Sequence, residues 1–205
     1  MTIVLKSDDP TAPAQAAQAI QRGELIIMPT DTVYGIASAI QDDAIYRLFM
    51  AKQRPPDRAV PILLSDAEFI DQVALLKSPH ALKLIEAFMP GPLTLILPKR
   101  QELPSNVSQL PTIGIRIPDN DAARAIIRES GGALAVSSAN LSGQSPARTV
   151  EEALAHFEES IAVAVNDGVA AGQTASTVAK LDGRTIKIVR AGPITQTQLE
   201  DVLNS

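Results

Sequence analysis

The sequence has no cysteine and no tryptophan, and its remaining aromatic material is four phenylalanines, two tyrosines and two histidines. Without cysteine there can be no disulfide, no thiolate nucleophile and no Cys-ligated zinc. His80 and His156 alone give little material for a histidine-rich metal site or a Ser-His-Asp triad. The shortage of rings also counts against a protein that stacks single-stranded nucleic acid. No window approaches the roughly 18 uncharged apolar residues of a membrane span. Residues 1–10 carry Lys6, Asp8 and Asp9 where a secretory signal needs an apolar core, so a cytoplasmic protein without membrane association is expected. Neither GxxxxGK[ST] nor GxGxxG occurs, and any bound phosphate must therefore be held largely by lysine and arginine side chains. Asp8-Asp9, Asp42-Asp43 and Asp119 with Asp121 read as caps and surface rather than as a metal cage.

What is present suits a globular protein. The 205 residues are 45% hydrophobic and 20% charged, and a chain of this size buries roughly 70% of its unfolded surface. The formal net charge is −5, so broad attraction to nucleic acid is not expected and an anion site must be a local inversion of sign. One inversion is plain. Lys52-Gln53-Arg54-Pro55-Pro56-Asp57-Arg58 places three cations in seven residues, with two prolines stiffening an extended loop. Taken alone, a helix end followed by a solvated basic loop explains it equally well, because cations favour helix C-termini. At near-fixed spacing, though, the same cations match what a polyphosphate requires.

Apolar periodicity predicts helices over residues 12–22, 42–51, 66–76, 79–89, 120–129 and 149–157, the first with Gly23 as its C-cap. Apolar runs at 24–28, 60–64, 93–97, 113–117, 133–136, 161–165, 177–181 and 185–189 predict strands, the last two forming a hairpin through Asp182-Gly183. Residues 99–111 are polar and irregular, a candidate mobile loop. The alternation gives an α/β single domain with a twisted mixed parallel/antiparallel sheet flanked by helices. No repeat or linker marks a second domain, so residues 1–205 are expected to form one unit.

Polar groups gather at strand ends: Thr30, Thr32 and Tyr34 after one strand, Ser138 and Asn140 after another, Ser176 and Thr177 at the start of a third, and Arg116 and Arg190 on two more. Open α/β sheets place ligand sites at such ends, so these groups can converge on one cleft. Each also has a plain structural use, as a turn cap or an edge-strand cation.

Seven motifs occur in order: Pro29-Thr30-Asp31-Thr32-Val33-Tyr34-Gly35, Lys52-Gln53-Arg54-Pro55, Pro90-Gly91-Pro92-Leu93-Thr94, Ile115-Arg116-Ile117-Pro118, Ser138-Ala139-Asn140-Leu141-Ser142-Gly143, Ser176-Thr177-Val178 and Arg190-Ala191-Gly192. Together, over about residues 12–193, the sequence resembles the YrdC-like threonylcarbamoyl-AMP synthases. The family's KxR…SxN pattern is met by Lys52, Arg54, Ser138 and Asn140. The resemblance implies a twisted sheet with a large, basic concave cavity. It also implies a nucleotidyltransferase that makes threonylcarbamoyl-AMP and pyrophosphate from L-threonine, bicarbonate and ATP. The product would feed the tRNA threonylcarbamoyl-transfer machinery that builds t⁶A at position 37, and Mg²⁺ would arrive on the nucleotide. By motif position, Lys52 and Arg54 are the expected catalytic cations. Lys52, Arg54, Arg58, Thr112, Asn140 and Arg190 would contact ATP; Thr32, Arg116, Ser138 and Ser176 would contact L-threonine or its carbamoyl group. Residues 99–111 are one expected cover for the cavity.

Departures from the family pattern are Arg58 where many relatives carry Asn or Lys, Leu63 where several carry His, and Ala191 in place of the usual Pro. Some longer relatives append a C-terminal accessory domain, which is not expected here. The alternative is a non-catalytic binder of tRNA or double-stranded RNA using the same concave surface, with salt-sensitive binding as its mark. A detached carbamoyl-transfer or hydrogenase-maturation domain is a weaker reading.

Overall fold

Leu25–Met28 (β2) is buried at all four positions, as a strand covered on both faces must be. Leu25 and Ile27 join one apolar core and Ile26 and Met28 the other. The computed structural model, which describes residues 1–55, 58–157 and 160–205, builds a ten-stranded mixed sheet around this strand. The other strands are β1 (Ile3–Lys6), β3 (Gly35–Ser38), β4 (Ile62–Leu64), β5 (Leu93–Pro98), β6 (Thr112–Arg116), β7 (Ala133–Ser138), β8 (Ile161–Asn166), β9 (Thr177–Asp182) and β10 (Thr185–Arg190). Their order is β1-β8-β2-β3-β7-β4-β6-β5-β9-β10. The β1/β8, β2/β8, β4/β6 and β5/β9 pairs are parallel and the other five antiparallel.

The two faces are covered unequally, and this creates the site. Helices α2 (Asp42–Ala51), α4 (Pro79–Phe88), α6 (Val150–Phe157) and α7 (Gln196–Asn204) supply Ile45, Leu84, Ala153 and Leu199 to the larger core. On the opposite face, among the described residues, only α1 (Ala12–Gln21) and α5 (Asp121–Glu129) pack, over the β8-β2-β3-β7-β4 half. Beyond them the alternate residues of β5 and β6, Thr94, Ile96, Gly114 and Arg116, have no helix above them and floor a cleft.

The β9/β10 hairpin closes through Gly183-Arg184, with Gly183 at φ +60°, the first-position glycine of a type II′ turn. Other expectations are corrected. The helix expected over 66–76 is a 3₁₀ turn, Ala67–Phe69, and the short α3 (Ile70–Val73), because Ala74 leaves the helix to bridge Lys99. β1, β3 and α7 are elements the apolar pattern does not reveal. Residues 99–111 are tied down rather than loose: Lys99 Nζ donates to the Ser108 carbonyl at 2.5 Å, the Val60 amide to that of Val107 at 2.9 Å, and Asn106 Nδ2 to that of Asp42 at 2.8 Å. None of residues 99–111 is among the residues that line the cleft in this structure. Pro56 and Asp57 of the basic loop lie outside the described residues.

Candidate active site

The basic loop begins as a helix cap. The Gln53 amide donates to Met50 O at 3.1 Å and the Arg54 amide to Phe49 O at 3.0 Å, the bond pair of a Schellman motif ending α2. The left-handed position, normally glycine, is Gln53 at φ +50°. This reversal turns Lys52 inward and carries Arg54 on to the cleft wall. Lys52 is 2% exposed, and its Nζ donates to the carbonyls of Ser138 at 2.5 Å and Asn140 at 2.6 Å. The Phe157 ring centroid is 5.9 Å from the same nitrogen. Burial, reinforced by the charge of Arg54, lowers the Lys52 pKa to about 7. Lys52 thus braces the turn after β7 from behind and does not line the cleft. Arg54 does line it, with Nη2 donating to Ala59 O at 2.7 Å.

The cleft holds about 230 Å³. Arg116, at the end of β6 and 5% exposed, is one of its lining residues. Nε donates to Gly91 O at 2.9 Å, Nη1 to Thr32 Oγ1 at 2.9 Å, and Nη2 to Asp31 Oδ1 at 2.5 Å. Of a guanidinium's five N–H groups this leaves one on each terminal nitrogen, a donor pair suited to the two oxygens of a carboxylate. Burial lowers the Arg116 pKa, and Asp31 opposes the shift. Thr32 is held in turn by Thr30, whose hydroxyl lies 3.0 Å from that of Thr32 and donates to Val33 O at 2.6 Å.

On the other wall Arg190 donates through Nη2 to Ser176 Oγ at 3.1 Å and to Ser176 O at 2.9 Å. Ser176 Oγ also lies 2.8 Å from Thr94 Oγ1. The loop leading into β9 is pressed onto the 30–35 turn: a Cβ on Gly172 would sit 2.5 Å from Thr32 O. Tyr34, fully buried, fixes the start of that loop, its hydroxyl donating to Gly168 O at 2.7 Å and accepting from the Asp167 amide at 2.9 Å.

The fold therefore brings together Thr32, Arg54, Arg116, Ser138, Ser176 and Arg190 as lining residues. Asn140 stands behind the wall, its Nδ2 donating to Leu141 O and Gln144 O at 2.8 Å each. Its Oδ1 is buried without a hydrogen-bond partner among the described residues. Thr112 shares the face of Gly114 and Arg116 but sits at the far end of β6, outside the cleft, and Arg58 is exposed and also outside it. Leu63, opposite Arg116 in the β4/β6 register, makes that part of the lining apolar. Thr94 and Asp31 lie outside the predicted set although both belong to quoted motifs. Their partners, Ser176 and Arg116, are 82 and 85 residues away in sequence. Among the described residues no three carboxylates or imidazoles converge to hold a metal, and no helix is long and apolar enough to cross a membrane.

Residues 18–192 match the model of the Sua5_yciO_yrdC family, described as "Telomere recombination". The chain belongs to this family. The threonylcarbamoyl-AMP synthase of Bacillus subtilis is 37% identical over 207 aligned positions, which cover 99% of this chain and 59% of that protein. That of Vibrio parahaemolyticus is 32% identical, covering 87% of this chain and 97% of its own length. The crystal structure of P. abyssi Sua5 complexed with L-threonine superposes with a TM-score of 0.92 at 30% identity, over 98% of this chain and 60% of the other. The chain thus spans less than two thirds of the Bacillus and P. abyssi proteins. The family fold agrees with the mixed sheet and flanking helices expected from the sequence.

Proposed function

We propose that this protein is a cytoplasmic nucleotidyltransferase that makes threonylcarbamoyl-AMP from L-threonine, bicarbonate and ATP, releasing pyrophosphate, for t⁶A37 formation by a tRNA threonylcarbamoyl-transfer machinery. The observation that carries the reading is Arg116: a buried guanidinium lining the cleft, with one N–H left on each terminal nitrogen and threonine-sized space beside it. At about 230 Å³ the enclosed part lies below the roughly 300 Å³ at which drug-sized pockets begin. It suits an amino acid, and the nucleotide would extend through the mouth past Arg54.

The chemistry follows from the placement. Bicarbonate gives up hydroxide to become CO₂, the neutral threonine nitrogen bonds to the CO₂ carbon to form a carbamate, and the proton lost from nitrogen combines with the hydroxide as water. A carbamate oxygen then bonds to the α-phosphorus as the bond to the bridging oxygen breaks and pyrophosphate leaves. Negative charge accumulates, and Arg54 and Arg190 flank the space where it does so. Catalysis is positioning with electrostatic stabilisation, and no covalent enzyme intermediate is required. Arg116 takes the threonine carboxylate, while the hydroxyls of Thr32, Ser138 and Ser176 suit the threonine hydroxyl or the carbamate. Asn140 supports the wall from behind, and its buried Oδ1 reaches a nucleotide only if the turn after β7 shifts. Lys52 serves by fixing the carbonyls of Ser138 and Asn140 and by the positive potential it adds when protonated. Mg²⁺ arrives on the nucleotide, held mainly by its phosphates and water. Mass spectrometry of a reaction containing all three substrates tests the proposal. It predicts threonylcarbamoyl-AMP as product; AMP with unmodified threonine contradicts it.

A further inference from the structure

Asp31 is the one carboxylate in contact with Arg116 among the described residues, and it does not line the cleft. Its Oδ1 accepts from Arg116 Nη2 at 2.5 Å and from the Asp119 amide at 3.1 Å. The ion pair is nearly dry, with side chains 6% and 15% exposed for Arg116 and Asp31. Asp119 stands in the turn leaving β6, where Asn120 caps α5 by accepting from the Ala123 amide at 2.8 Å. Asp31 therefore ties the turn after β2 to the turn entering α5, with the guanidinium between them.

Three contacts from two chain segments determine the plane of the Arg116 guanidinium: Gly91 O from one, and Thr32 Oγ1 and Asp31 Oδ1 from the turn after β2. With Asp31 removed, two of these remain and the outer end of the fork can swing. The Asp31 charge itself repels an incoming carboxylate, so attraction cannot be its contribution to binding one. We propose that Asp31 is a positioning residue: it holds the Arg116 fork so that its remaining N–H pair faces an amino-acid carboxylate in the cleft. The inference rests on Arg116 being the carboxylate site proposed above.

Calorimetric titration of purified D31A, D31N and wild-type protein with L-threonine, and separately with ATP, tests it. D31A should raise the threonine Kd at least about tenfold and leave the ATP Kd within about twofold. D31N keeps an oxygen acceptor at Oδ1 and relieves the repulsion, so its threonine Kd should stay within about threefold of wild type. D31S, too short to reach Arg116, makes the same test if D31A does not fold. Unchanged threonine affinity in the truncated variant overturns the proposal. So does parallel loss of threonine and ATP binding, which marks a general structural defect, or equal loss in D31N, which marks charge rather than orientation. Failure of wild type to bind threonine at all overturns the reading of Arg116 itself, and is seen before any variant is compared.

Discussion

Lys52 donates to the carbonyl of Asn140 at 2.6 Å, joining the end of α2 to a turn 88 residues further along the chain. The lysine expected on sequence grounds to contact phosphate also supports the wall that carries Ser138 and Asn140, and its loss should be felt in folding as well as in catalysis. K52A leaves the buried Asn140 carbonyl without its donor, at roughly 1–3 kcal/mol, takes one of two donors from the Ser138 carbonyl, which keeps the Asn140 amide at 2.9 Å, and removes the packing of the buried lysine stem. Urea unfolding should show a loss of about 2–4 kcal/mol, with activity at least about tenfold lower. R54A, removing a half-buried residue of the cleft wall, should lower activity by a similar factor at about 1 kcal/mol or less in stability. Equal stability of K52A and wild type would contradict this support.

The same buried lysine makes stability depend on pH. Its pKa is lowered to about 7, and even the neutral amine has two N–H groups, enough for both carbonyls. Between about 7 and the ordinary lysine value of 10.5 the unfolded chain holds a proton that the folded protein lacks. Stability contributed at this position therefore rises with pH through that window, and below it the penalty of burying the charge is present in full. The stability difference between wild type and K52M, which cannot titrate, should grow in favour of wild type between about pH 6.5 and about pH 9. A constant difference would show that Lys52 keeps its proton.

Gln53 occupies a left-handed position at φ +50°, which costs a non-glycine residue roughly 1 kcal/mol. Q53G should keep activity and leave stability equal or raised by up to about 1 kcal/mol, the relief being partly offset by greater freedom of the unfolded chain. Chemical denaturation with a parallel assay checks this. A loss of more than about 1 kcal/mol would mean that the Gln53 side chain has a further use.

How much of this was legible in the sequence depends on how far apart the partners are. Leu25–Met28, Leu93–Pro98 and Ile161–Asn166 declare themselves as strands because burial makes them apolar. β1 does not, because it is an exposed edge; β3 is the small-residue segment Gly35–Ser38; and α7 buries only Leu199. At the site, ordered motifs pointed to Arg54, Arg116 and Ser176, which the fold brings to one cleft. They could not show that Lys52 faces backbone, that Thr94 meets Ser176, or that Arg58 and Thr112 fall outside the enclosed space, since β-pairing between distant segments decides all of these.

The Thr94–Ser176 contact carries its own prediction. T94V keeps the shape and removes the 2.8 Å hydroxyl contact, leaving Ser176 to Arg190 alone. Steady-state assay should show activity about three- to tenfold lower, near the ~1 kcal/mol of one hydrogen bond, with little change in melting temperature. Wild-type kinetics in T94V would place Ser176 away from the reacting groups.

The central claim is that one cleft joins threonine, CO₂ and ATP, and pyrophosphate release tests it most directly. Purified, folded protein with ATP and Mg²⁺ should release pyrophosphate only when both L-threonine and bicarbonate are present, and omission of either should reduce the rate to background. Release that is absent with all substrates present, or indifferent to threonine, would contradict the account.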